Sequence, residues 1–89
     1  MTTRTEQEQA ALKGAALEAL KYLSGGKVDP VEVPPVAERI ERLFYNVGSF
    51  TISDLYDVLH EAEADGLVRY VEIGRYSAFA MTEKGFEEA

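Results

Sequence analysis

The stretch from Thr51 to Gly85, TISDLYDVLHEAEADGLVRYVEIGRYSAFAMTEKG, leaves this chain few ways to fold. Ile52, Leu55, Val58, Leu59 and Ala62 recur at helical spacing. Thr51, followed three residues later by Asp54, is a capping-box-like start. These signals predict a helix from about Ser53 to Ala64, stopped by Gly66. Leu67–Ile73 and Tyr76–Thr82 then alternate as strands. Gly74 and Arg75 form a two-residue loop of the II′ kind. That register pairs Ile73 with Tyr76, Val71 with Ala78 and Arg69 with Ala80 on one face. Tyr70 with Phe79 and Val68 with Met81 make the other, expected to face the core.

The chain before Thr51 supplies helices to cover that face. Residues 6–23 read as a helix, with Leu12, Ala16, Ala19, Leu20 and Leu23 in stripe and Ala10, Ala11 and Ala15 widening it. Gly14 inside it is either tolerated or marks the close approach of another helix, from this chain or a second copy. Ser24-Gly25-Gly26 stops the helix. Val31-Glu32-Val33, framed by Pro30, Pro34 and Pro35, can form a very short third strand beside the hairpin. Val36 to Tyr45 reads as the second helix, on the stripe Val36, Ile40, Leu43 and Phe44, with Pro35 fitting its first turn, and Asn46 to Ser49 ends it. Residues 83–89 read as a short acidic tail or one more helical turn. The expectation is one α+β domain over residues 1–89, with three helices, a C-terminal hairpin and frayed ends at 1–5 and 86–89.

Charge bears on function. Sixteen Asp and Glu against nine Lys and Arg leave a net charge of −7. Duplex DNA repels such a protein unless its cations gather on one face. There is no cysteine, so no disulfide or thiolate metal site. No apolar run reaches the length of a membrane span, and the polar N-terminus is no secretory signal. A soluble, cytoplasmic protein without membrane contact is expected.

Helix, possible strand, helix, helix, strand, strand is the order of a winged helix-turn-helix domain. Asp54-Leu55-Tyr56-Asp57 through Asp65-Gly66-Leu67-Val68 is similar to the recognition helix and wing start of PadR-like transcriptional regulators. Met81-Thr82-Glu83-Lys84-Gly85 resembles the segment that closes the wing in PadR-like and MarR-like proteins. The resemblance implies a small winged helix that binds DNA, working as a dimer through its alanine-rich first helix. It implies the third helix in the major groove and Arg75 of the wing in the minor groove. The sequence departs from the family in charge. Ser53 to Asp65 holds Asp54, Asp57, Glu61, Glu63 and Asp65, and no Lys or Arg. Thr51-Ile52-Ser53-Asp54-Leu55 also looks like the start of the second helix in such domains, so one helix carries both marks.

The candidate binding residues follow. Ser53, Tyr56, Asp57, His60 and Glu61 lie on or beside the outer face of the third helix. They would meet DNA or a basic protein surface. Arg69 and Arg75 belong to the wing, with Arg75 either a groove contact or an exposed turn residue. Arg39 and Arg42 on the second helix either touch a DNA backbone or are balanced by Glu38 and Glu41. His60 is the only histidine, too few for a metal site of nitrogen ligands, and Asp57 and Glu61 are the carboxylates expected beside it. No phosphate-binding loop or catalytic triad is present, and neither enzyme activity nor a cofactor is expected. Two functions remain. One is a winged-helix DNA-binding regulator. The other is an acidic winged-helix module that binds protein or imitates DNA, as small phage-encoded inhibitors can. A structural interaction module is a blander variant of the second.

Overall fold

The computed structural model of the chain describes residues 6–43, 47 and 49–88. Along these the elements are α1 (Glu6–Leu23), β1 (Val31–Glu32), α2 (Val33–Leu43), α3 (Ile52–Ala64), β2 (Val68–Ile73), β3 (Tyr76–Met81) and α4 (Glu83–Glu88). The described residues thus make an α+β domain of four helices and a three-stranded antiparallel sheet ordered β1-β3-β2. The arrangement is compatible with a winged helix, with one helix more than the three expected. Phe44, expected in the stripe of the second helix, and Tyr45, Asn46 and Gly48, expected to close it, lie outside the described residues, as do residues 1–5 and 89.

The hairpin register is the one that the alternation predicts, from Val68 opposite Met81 to Ile73 opposite Tyr76. Gly74 has φ of +60° and among the described residues no non-glycine residue has positive φ, the sign pattern of a II′ turn. β1 pairs Val31 with Phe79 and Glu32 with Ala78, which makes β3 the central strand. Phe79, Met81 and Val68 face the helices and are buried with Leu12, Leu20, Val36, Ile40, Leu55 and Leu59. Ala78 and Ala80, on the opposite face, are also buried. Their methyl groups are shorter than the side chains paired with them on the flanking strands.

Two expectations are corrected at the second helix. Val33 belongs to α2 rather than to the short strand, and α2 starts three residues before Val36. Pro34 and Pro35 sit in its first turn, where backbone N–H groups have no intrahelical acceptor and their loss costs nothing. Starting early also buries Val33. At the acidic tail the helical turn forms as α4, and only the expected fraying differs. Residues 86 to 88, expected to fray, belong to α4, and Phe86 packs against the core.

α3 is closed at both ends by side-chain and backbone bonds. Thr51 Oγ1 accepts from the Asp54 amide at 3.1 Å, and the Asp54 carboxylate accepts from the Thr51 amide at 2.9 Å. At the far end the Leu67 amide donates to Ala62 O and the Gly66 amide to Glu63 O, both at 2.9 Å. This is a Schellman closure, and Gly66 takes it with φ of +79°. The segment after β3 grips the same loop. Thr82 Oγ1 donates to Gly66 O at 2.6 Å, the Thr82 amide to Leu67 O at 3.1 Å and Lys84 Nζ to Asp65 O at 2.9 Å. Asp-Gly-Leu-Val and Thr-Glu-Lys-Gly are therefore two halves of one lock that fixes the hairpin to the end of α3.

Candidate partner interface on α3 and the hairpin

Docking α3 through Leu55, Val58, Leu59 and Ala62 leaves three strips on the rest of its surface. One faces α1. Lys13 reaches across to Asp65 at 2.6 Å and Glu61 at 3.3 Å. The Asp65 hydrogen bond, with support from Glu61, outweighs partial desolvation and lifts the Lys13 ammonium above its ordinary value. The same bond, with the Lys13 charge, holds the Asp65 carboxyl below the usual carboxylate range. Glu61 is thus turned to α1 and neutralised in part, rather than sharing a free outer face with Asp57.

The opposite strip faces the sheet and is aromatic. The His60 ring lies 6.2 Å from Tyr56, 5.6 Å from Tyr70 and 5.3 Å from Phe79, centroid to centroid. Phe79 is buried at the floor of this group, while Tyr56 and Tyr70 are half-buried. The His60 side chain keeps 50% exposure and its Nδ1 lies 3.1 Å from Glu63 Oε1. Its carboxylate partner is therefore Glu63, one turn along on the same flank, and not Asp57 or Glu61. The Tyr70 hydroxyl is 2.9 Å from Ser77 Oγ and donates to Glu72 Oε1 at 3.3 Å. Between the two strips runs the crest of α3, where Ser53, Asp57 and Ala64 are exposed.

Of the residues expected to form one binding face, Tyr56 and His60 meet the sheet, Ser53 and Asp57 stand on the crest, and Glu61 points to α1. Glu63, Tyr70, Glu72 and Ser77 join the corner. The signals for them were the i, i+3 spacing of His60 and Glu63, and a register that puts Tyr70, Glu72 and Ser77 on one sheet face.

The four candidate arginines, Arg39, Arg42, Arg69 and Arg75, are divided among separate surfaces. The Arg39 guanidinium carbon lies 3.3 Å from the Tyr22 ring centroid, a cation–π contact at the end of α1. Arg42 pairs with Glu38 at 2.8 Å. Arg39, Arg42, Glu38, Leu23, Pro35 and Leu43 line an open groove of about 360 Å³, to which neither α3 nor the hairpin contributes. Arg69 stands on the sheet face turned away from the helices, and Arg75 occupies the turn. Neither makes an ion pair among the described residues.

Of the alanines in the first helix, expected as a dimer seam, Ala15, Ala16 and Ala19 are buried in the chain's own core, while Ala10 is exposed. The face of α1 left exposed carries Glu6, Ala10, Gly14 and Glu18. No described helix is long and apolar enough to cross a membrane. Among the described residues no group of three His, Asp or Glu side chains converges as metal ligands would. Comparison of the chain with protein-family models, with curated proteins and with solved structures gave no match.

Proposed function

We propose that this protein is an acidic, winged-helix-like binding module that receives a basic segment of another protein where α3 meets the hairpin. The observation that supports it is the charge around that corner. Glu63 and Glu72 are exposed there, beside the half-exposed rings of Tyr56, His60 and Tyr70, Asp57 is exposed on the adjoining crest, and α3 carries no Lys or Arg. Aromatic faces and carboxylates both attract ammonium and guanidinium groups. The same carboxylates would repel phosphates along a helix laid in a major groove. A protein that grips DNA through a basic groove would meet here a surface of similar sign to DNA, so imitation of DNA is one form of the same reading.

A DNA-binding regulator is the second reading. Its support is Arg75, an unpaired cation among the described residues, standing at the hairpin tip where DNA-binding winged helices place a minor-groove contact. Joint replacement of Asp57 by Asn, Glu63 by Gln and Glu72 by Gln separates the two. Under the protein-binding reading the variant loses affinity for a fluorescent lysine-rich peptide by about tenfold or more, from several weak, screened charge contacts. Unchanged peptide affinity, or new tight binding of duplex DNA by the unaltered chain, would refute it.

A further inference from the structure

An unpaired sheet edge runs along the corner just described. β3 is central, so β2 has a neighbour on one side only. The two-residue turn makes Ile73 and Tyr76 a hydrogen-bonded pair, and alternation gives the same status to Val71 with Ala78 and Arg69 with Ala80. The N–H and C=O groups of Val68, Tyr70 and Glu72 therefore point away from β3. None of these groups bonds to a turn, loop or cap among the described residues. Edges of this kind are commonly guarded by proline, a bulge or a very short strand. β2 has six residues, no proline and an unbroken register.

The side chains along this edge are sorted by face. Tyr70 and Glu72 stand on the helix side, with His60, itself paired with Glu63, next to Tyr70. Arg69, Val71 and Ile73 stand on the other side, Ile73 being 51% exposed. An incoming strand alternates its side chains in the same way. Positions on the helix side would meet carboxylates and aromatic faces. Positions on the far side would lie beside Val71 and Ile73, next to the like charge of Arg69.

We propose that the partner is taken as an extended strand added to the free edge of β2, with Lys or Arg at alternate positions and apolar residues between them. This rests on the protein-binding reading above and specifies its geometry. The backbone of β2 supplies sequence-independent hydrogen bonds, and the two faces select the alternation. A helical partner lying on the crest of α3 would leave the edge amides open to water, and so would duplex DNA.

The test uses the full chain and four synthetic probes, the fourth an alternating Glu and Val peptide. One peptide alternates Lys and Val over six residues. The second has the same residues in two blocks. The third is the alternating peptide N-methylated at the positions that would donate to β2. Residue-resolved amide exchange should slow at Tyr70 and Glu72 when the alternating peptide is added, while Val71, already paired with β3, stays as it was. N-methylation should weaken binding about tenfold or more, as expected for the loss of two or more hydrogen bonds. Equal binding of the alternating and block peptides, with no slowing at Tyr70 and Glu72, overturns strand addition and leaves the basic-partner reading in place. Failure of every lysine peptide to bind overturns both. Slowing at Tyr70 and Glu72 with an alternating Glu and Val peptide, and not with the lysine one, overturns the assigned charge.

Discussion

Gly85 should be the least replaceable exposed-looking position in the sequence. It lies inside α4 but is buried against the turn after α3. A Cβ there would fall well inside van der Waals contact of the Leu67 carbonyl oxygen, and 3.0 Å from the Leu67 carbonyl carbon and Met81 Cε. The methionine methyl can swing aside, but the backbone carbonyl cannot. That carbonyl accepts the Thr82 amide, so relief means lifting α4 off residues 65 to 67. The bonds then at risk are those from the Thr82 amide, Thr82 Oγ1 and Lys84 Nζ. At about 0.5–1.5 kcal/mol each, three such bonds are worth about 1.5–4.5 kcal/mol. Alanine returns about 1 kcal/mol of helix propensity. The net loss for Gly85→Ala is about 2 kcal/mol, which lowers Tm by about 10 °C in a domain of this size. Gly14→Ala is the matched control. Gly14 is exposed in mid-helix with nothing within 4 Å of an added Cβ, so alanine should stabilise by about 0.5–1 kcal/mol. Urea and thermal unfolding followed by circular dichroism measure both. Gly85→Ala within about 0.5 kcal/mol of the parent would refute the lock between α4 and the end of α3. A destabilised Gly14→Ala would mean that a second chain closes on α1.

Further outcomes follow from the ion clamp and the aromatic floor. The Asp65 carboxyl is held below its ordinary value of about 3.8, so its contribution is present above that pH and is lost as pH falls through the folded value. Lys13 is raised above 10.5, so its contribution is complete below that pH and is lost as pH rises through the folded value. Lys13→Met should therefore flatten both the acid and the alkaline ends of the stability profile, read as urea midpoints. An unchanged profile would contradict the clamp. Phe79→Ala removes a side chain with no exposure that touches the rings of Tyr56, His60 and Tyr70. It should cost about 3–5 kcal/mol and erase much of the near-ultraviolet tyrosine signal. A small loss with the signal intact would contradict the packed floor.

What was legible in the sequence was local. The hairpin register follows from alternation around Gly74-Arg75, and the start of α3 from Thr51 and Asp54, because each signal spans a few residues. Pro35 fits the first turn of the second helix, but the early start of α2 was missed because Val31-Glu32-Val33 between Pro30 and Pro34 read as a short strand. The corner was half legible. Tyr56 and His60 carry helical spacing, but whether they meet solvent or the sheet depends on how α3 is rotated on the core. Lys13 lies 48 residues from Glu61, and no local pattern announces that pair. The motifs that resemble PadR-like and MarR-like proteins turn out to hold each other. Their residues are explained by how the hairpin is anchored, so they speak for the architecture and leave partner choice to the charges around α3.

That choice is most directly tested by one paired salt titration. Fluorescence anisotropy would follow the chain against a labelled alternating Lys and Val peptide and, separately, against a random-sequence duplex DNA. An acidic protein-binding module should hold the peptide at low salt, release it as salt rises and leave the duplex free throughout. Duplex binding that falls steeply with salt, with no affinity for the peptide, would contradict the account.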